Sequence, residues 1–205
     1  MVMKEIVAVP LNAFGVALEP LEERHRAGLA AAGSDPLIWR FLPYDVSNGG
    51  MDRWFDATLA LQQKHVEAIW AVRRTDDDTV VGTTRYLNIA AHDLRVEIGG
   101  TWYLRDVWAG VVNPACKFML LSHGFETLRL NRIELKTDAR NERSQSAIAR
   151  LGAVREGVFR RHMVLPDGHI RDTVYYSVIR EEWPAVRDGL VARLTGLEQL
   201  APPLA

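Results

Sequence analysis

The stretch NERSQSAIARLGA, residues 141–153, sets two polar residues three apart, Asn141 and Ser144, where a short helix should begin, and closes it on Leu151 and Gly152. The first turn of a helix leaves backbone N–H groups unpaired and carries a partial positive charge, which suits a phosphate or a thiolate. Asn141 can cap that turn or donate its amide, and Ser144 offers a hydroxyl on the same side. Taken alone, the pattern first describes a plain N-cap. Tyr175 and Tyr176 are the other proton donors in a strand-like run. Neighbours on a strand face opposite ways, so at most one can point at a shared site, and either alone reads as core or surface.

Cys116 is the single cysteine, which excludes an intrachain disulfide and a cysteine-based metal cluster and fits a reducing cytoplasm. It follows Pro-Ala near a helix start, where a lowered thiol pKa is conceivable, but no histidine accompanies it in sequence and a buried, inert thiol is the plainer reading. The six histidines, at 25, 65, 92, 123, 162 and 169, show no HxxxH or HExxH spacing, so no metal is expected.

The elements that must position these residues follow from periodicity. Residues 22–32 and 51–64 read as helices joined by the loop DPLIWRFLPYDVSNGG. Three strand-like runs, 66–72, 79–89 and 94–103, are separated by TDDD and AAHD and read as an antiparallel meander. Residues 113–129 read as a helix with Asn113 as N-cap and Pro114 at the first helical position. RIELKT at 132–137 alternates as a strand, the 141–151 helix follows, and two strands flank the turn PDGH at 166–169. Trp183, Val186, Leu190, Leu194 and Leu197 recur at helical spacing, predicting an amphipathic helix over 183–200, and APPLA at 201–205 is expected to fray. The fold class is α/β with a mixed sheet, and the expected organisation is one domain over 1–205.

Of 205 residues, 48% are hydrophobic, enough for a buried core, and Lys+Arg 25 against Asp+Glu 26 leaves a net charge of -1. No global field attracts nucleic acid or anionic lipid, so neither partner is expected. Apolar runs stay short of the roughly 20 residues of a membrane helix, and the N-terminus has no export signal pattern, so a soluble, cytoplasmic protein is expected.

The order of VEIGGTWYL with its Gly pair, a helix rising from a loop, RIELKT, and N-x-x-S ending in LGA is similar to the GNAT superfamily of acyl-CoA N-acyltransferases. The likeness is nearest to its ribosomal-protein N-acetyltransferase branch, runs from about residue 16 to 182, and is most specific over residues 137–183. It implies a central mixed, mostly antiparallel, splayed sheet flanked by helices, here with an extra C-terminal helix, and acetyl-CoA as cosubstrate wedged between the fourth and fifth strands of the family's sheet.

The resemblance also implies roles. Gly99 and Gly100 would form the bulge that parts the strands, with Tyr103 and Leu104 offering backbone groups to the pantetheine arm. The phosphate loop RDVWAGVVNPACK keeps only Ala109 and Gly110 as small residues, is about one residue short of the family pattern, and continues through Val111 and Val112. Asn113 and Lys117 could face phosphate in compensation, Lys117 being equally readable as a solvated lysine. Glu97 matches a carboxylate that takes the amine's proton, although a strand glutamate is commonly just solvent-facing. Ile148 stands where many members carry a tyrosine that protonates the CoA thiolate, leaving Ser144 as first choice and Tyr176 or Tyr175 as alternatives for that bond.

Trp39, Phe41, Tyr44 and Trp54 could wall the acceptor site or equally be core. The acceptor is left open between a protein N-terminus and a small-molecule amine such as a polyamine, an aminoglycoside or an amino acid, and a homodimer has room at the sheet. A non-catalytic CoA sensor or protein-interaction module is the competing reading, on the strength of the sparse glycine loop and Ile148.

Overall fold

The structure is a computed structural model and describes residues 5–200, so the expected fraying tail at 201–205 lies outside the described residues. Eight strands form one sheet: β1 (Leu11–Ala13), β2 (Val16–Pro20), β3 (Ala68–Arg74), β4 (Val80–Ala90), β5 (Arg95–Tyr103), β6 (Arg132–Asp138), β7 (Val154–Val164) and β8 (Ile170–Ile179). Their order is β1-β2-β3-β4-β5-β6-β8-β7, and every neighbouring pair is antiparallel except β5–β6. Five α-helices flank it: α1 (Arg26–Ala32), α2 (Met51–Gln63), α3 (Val112–Ser122), α4 (Glu142–Ala149) and α5 (Trp183–Leu200). This is the mixed, mostly antiparallel, helix-flanked sheet anticipated above.

The middle of the sheet is covered on both faces. On β3, Ala68, Trp70 and Val72 pack into one core with residues of α3, α4 and α5, while Ile69 and Ala71 pack into a second with Leu29 of α1 and Phe55 of α2. That double burial explains why AIWAV is a continuous apolar run rather than an alternating one. The C-terminal helix matches its pattern: Trp183, Val186, Leu190 and Leu194 are buried, and the Trp183 indole donates to Glu126 Oε1 at 2.8 Å.

Three expectations need correction. The β1–β2 hairpin was not anticipated; its two-residue turn is Phe14–Gly15, both at positive φ (52° and 71°), and the flanking strands are too short to show an alternation. Helix α1 starts later than residue 22, because Glu23–His25 form a 3₁₀ turn in which the Glu22 N–H donates to His25 Nδ1 at 3.0 Å. Helix α3 starts earlier than expected, with Val111 at the N-cap, so Asn113 and Pro114 are its second and third residues and Asn113 is not the cap. It also ends earlier as α-helix and runs on as a π-turn, His123–Thr127. The Tyr86 hydroxyl donates to the Leu120 carbonyl, the acceptor that the N–H of Gly124 would use in a regular helix, and Gly124 lies tight against Ile133.

Gly82 fixes the junction of β4 and β5. Its φ is +154°, and a Cβ there would stand 2.1 Å from the Trp102 carbonyl oxygen. Gly82→Ala should cost about 1–3 kcal/mol of unfolding free energy in urea titration, whereas Gly157→Ala, with nothing within 4 Å of its Cβ position, should stay within about 0.5 kcal/mol of the parent.

Candidate active site

Strands β5 and β6 pair only through Arg95 with Arg132, Val96 with Ile133 and Glu97 with Glu134. Beyond Glu97 they separate, and the wedge opens into a cavity of about 610 Å³, within the range of roughly 300–1,000 Å³ usual for small-molecule sites. Gly99 and Gly100 line it at the point of separation, where the β4–β5 register shifts between Thr83 and Arg85. Gly100 has φ +54°, and the Arg85 Nε lies 2.5 Å from where its Cβ would be. A Cβ at Gly99 would meet Glu97 Oε1 at 2.7 Å, so this glycine makes room for that carboxylate.

The mouth of the wedge is built by the loop between β5 and α3 and by the start of α4. Ala109 holds φ +62°, a left-handed conformation costly for a residue with a side chain, and Gly110 follows it on the cavity wall. The Trp108 indole donates to the Tyr103 carbonyl at 2.9 Å, and the Arg143 guanidinium stacks over the Trp108 ring, its Cζ 3.3 Å from the centroid. Asn141 is the N-cap of α4: its Oδ1 accepts from the Ser144 N–H at 3.0 Å. Ser144, Ala147 and Ile148 then present one face of α4 to the cavity, and Leu151 in the turn after it also lines it.

Charge sets this cavity apart from the rest of the molecule. Its lining includes nine basic side chains (Arg40, Arg105, Lys117, Lys136, Arg140, Arg143, Arg150, Arg171 and Arg193) and one acidic, Glu142, in a chain whose net charge is -1. Burial and the neighbouring Arg105 lower the pKa of Arg143, and burial and Arg150 lower that of Arg193. Such mutual repulsion is relieved by an anion bound between the cations. Lys117 is 6% exposed, its Nζ donates to Thr101 Oγ1 at 3.3 Å, and burial pushes its pKa down to about 8. It is therefore not a solvated surface lysine but a buried one under β5. The thiol of Cys116 beside it is buried and pushed up to about 11, the inert state anticipated.

Of the residues singled out from sequence, Tyr103, Ala109, Gly110, Asn113, Lys117, Asn141, Ser144 and Phe41 line the cavity. Leu104, Val111 and Val112 do not; Val112 is core, Val111 packs against that core, and the Leu104 N–H is already donated to the Val81 carbonyl at 2.7 Å. With the Tyr103 carbonyl also taken, the unpaired strand edge facing the wedge belongs to the residues just before them. Glu97 is 2% exposed rather than solvent-facing, and its Oε2 receives Asn88 Nδ2 at 2.8 Å and Lys136 Nζ at 3.0 Å, leaving Oε1 toward Gly99. Tyr176 is core, its hydroxyl 3.5 Å from Gln145 Oε1, and Tyr175 lies on the other face beside Phe159. Trp39, Tyr44 and Trp54 form a tilted aromatic cluster with Trp102 in the second core, and of that cluster only Trp102 reaches the cavity. Sequence reasoning missed the arginines; Arg143 and Arg150, seven apart within the expected 141–151 helix, were the available signal.

Residues 16–154 match the acetyltransferase (GNAT) domain, and the chain belongs to that family. A GCN5-related N-acetyltransferase from Brucella melitensis superposes with a TM-score of 0.86 at 25% identity, over 93% of this chain and 87% of that one. YdaF of Bacillus subtilis (strain 168), provisionally named a ribosomal N-acetyltransferase, is 31% identical over 108 residues, 52% of this chain, so that the chain spans 57% of YdaF. Mycobacterium smegmatis RimJ, whose crystal structure contains CoA-disulfide, shares the fold at 22% identity, with a TM-score of 0.76 over 94% of this chain and 96% of that one. Among the described residues no helix is long and apolar enough to cross a membrane, and no group of three potential metal ligands occurs.

The Asn141 cap yields a direct test. Asn141→Ala should lower stability by about 1 kcal/mol in urea unfolding, because the Ser144 N–H loses its acceptor, while Asn141→Asp, which keeps an oxygen there, should stay close to the parent.

Proposed function

We propose that the chain is an acetyl-CoA-dependent N-acetyltransferase that passes an acetyl group to a primary amine by direct attack in a ternary complex. The observation that carries this reading is the wedge between β5 and β6, an unpaired strand edge leading to a mouth lined by cations and capped by a helix start. The edge suits an amide-rich arm that pairs like an added strand, and Arg105, Arg143, Arg150 and Arg193 suit phosphates. Acetyl-CoA would supply the activated thioester.

The chain's residues then divide the proton work. Glu97 Oε1, lying over Gly99 at the strands' parting, takes the proton that the amine loses, directly or through water, while Asn88 and Lys136 hold the other oxygen in place. Ser144, four residues before Ile148 on the cavity face of α4, donates its hydroxyl hydrogen bond to the departing sulfur in the absence of a phenol there. Residues 5–200 act as one unit, in a reducing cytoplasm that suits a free thiol, and the outer edge of β7, where Phe159 is 53% and Val164 70% exposed, is the place for a homodimer contact. A CoA sensor without turnover is the second reading, favoured by the buried hydrocarbon of Ile148 in the cavity wall and by the ion pair that engages Glu97.

Incubation with acetyl-CoA and an amine panel, read by thiol release, separates the two: turnover supports the enzyme, and calorimetric CoA binding with no turnover supports the sensor. Glu97→Gln should lower kcat by about 100-fold or more with CoA affinity kept; an unchanged pH–rate profile would assign the base elsewhere.

Lys117 gives a pH-dependent expectation. Its ammonium carries charge below about 8 and loses it above, whereas Tyr103 on the same wall and Cys116 in the core behind it are both raised by burial. CoA affinity of the parent should therefore fall as pH rises through about 8, and Lys117→Met should bind more weakly at pH 6.5 and lose that pH dependence. An identical profile in both proteins would place the charge away from the cofactor.

A further inference from the structure

Arg171, the second residue of β8, is 5% exposed and lines the cavity. Its Nε donates to Thr173 Oγ1 at 3.0 Å and one Nη to the Phe41 carbonyl at 3.3 Å. Both acceptors are neutral. A guanidinium has five N–H donors in a fixed fork, and among the described residues no carboxylate comes within ion-pair distance of this one. The nearby carboxylates are already claimed: Asp138 by Arg140 at 2.7 Å and Glu97 by Lys136 at 3.0 Å. Burial lowers the pKa of Arg171, with Arg140 adding to the effect and Asp138, Glu97 and Tyr175 opposing it. A tie between two neutral oxygens does not require a buried full charge, which is costly unless something pairs with it.

The position of Arg171 separates it from the phosphate end. Arg171 and Thr173 share the face of β8 opposite Val174 and Tyr176, which are core on the side of α3, α4 and α5. The loop before α2 covers Arg171 instead, and on that loop Arg40 stands over Phe41 with its Cζ 5.2 Å from the ring centroid, while Arg140 approaches the same ring at 5.6 Å. Arg143 lies on α4, Arg150 at its C-cap and Arg193 on α5, while Arg105 of the β5–α3 loop is tied to Asp35 at 3.0 Å. Glu97 pairs with Glu134 and Glu134 with Ser177, so Glu97 shares the sheet face of Thr173 and Arg171, the face from which an acceptor would approach it.

Resting on the acetyltransferase reading, we infer that the acceptor amine carries an anionic oxyacid group, a carboxylate or a phosphate, received by the Arg171 guanidinium N–H groups that neither Thr173 nor Phe41 accepts, and flanked by Arg40 and Arg140. A guanidinium binds such a group through charge-assisted N–H···O bonds, and Arg171 and Gly99 line the same cavity. Polycationic acceptors such as spermidine meet repulsion from the same three arginines.

The test compares kcat/KM at saturating acetyl-CoA for β-alanine, O-phosphoethanolamine, β-alaninamide and spermidine. The anionic amines should exceed β-alaninamide by about tenfold or more, with spermidine lowest, and whichever of the two anionic arms is larger identifies the oxyacid. Arg171→Met should shrink that ratio to about twofold, with Arg171→Lys, which keeps the charge and loses the fork, in between. Equal or better use of β-alaninamide or spermidine by the parent, or a proportional loss on every amine in Arg171→Met, overturns the inference and leaves the acetyltransferase reading standing. A chain that binds CoA but acetylates none of these amines overturns both.

Discussion

The organising constraint is that β5 and β6 stop pairing after three residue pairs. A buried strand edge without partners costs free energy, so the sheet can afford the wedge only because each half is anchored elsewhere. On one side β5 keeps its ladder with β4; on the other, β6 pairs with β8 over seven positions from Arg132 to Asp138. The bulge at Gly100 is held by Arg85, which crosses to Glu67 at 2.8 Å, and the α3 side is closed by Lys117 reaching Thr101, whose hydroxyl meets that of Thr84 at 2.7 Å. The open edge is therefore a rigid, preformed slot.

Electrostatics follows from that slot. The molecule is nearly neutral, yet nine basic groups converge on one cavity with one acidic group among them, and several are buried enough for their charged forms to be disfavoured. Three of the nine are paired with carboxylates outside the lining, Arg105 with Asp35, Lys136 with Glu97 and Arg140 with Asp138, and the positive excess that is left is what a bound anion would neutralise. Because Lys117 sits near its titration point, its side of the slot responds to pH near neutrality, whereas the arginines on the loop and on α4 do not.

What sequence revealed and what it hid divide along the range of the interactions. Asn141 and Ser144 were readable because a cap is a contact between residues three apart, and the C-terminal helix because its apolar stripe repeats every turn. The fate of Lys117 was hidden, since nothing within its own helix shows that Thr101 of β5 meets its ammonium. The aromatic residues before and within α2 were ambiguous for the same reason: Trp39 and Trp54 pack on Trp102 of β5, Tyr44 packs on both of them, and of the four only Phe41 was left at the cavity. Arg171 becomes conspicuous only when the loop carrying Phe41 folds over a strand that lies 130 residues away in the chain.

The sheet also divides labour by face. Side chains two apart on one strand share a face, so β8 sends Val174 and Tyr176 to the core beneath α4 and Arg171, Thr173 and Tyr175 to the opposite side. Strand β5 does the same with Ile98 and Glu97, the first packed in the core, the second carrying its carboxylate over Gly99. In the proposed chemistry the cofactor's phosphates gather where α3 and α4 begin and the acceptor enters from the face of Glu97 and Arg171. The two meet only where the backbone has no side chain to bar the way, at Gly99 and Gly100. A larger residue at either position would collide with Glu97 or Arg85, so the same two glycines that open the sheet also seat the groups proposed to act across it.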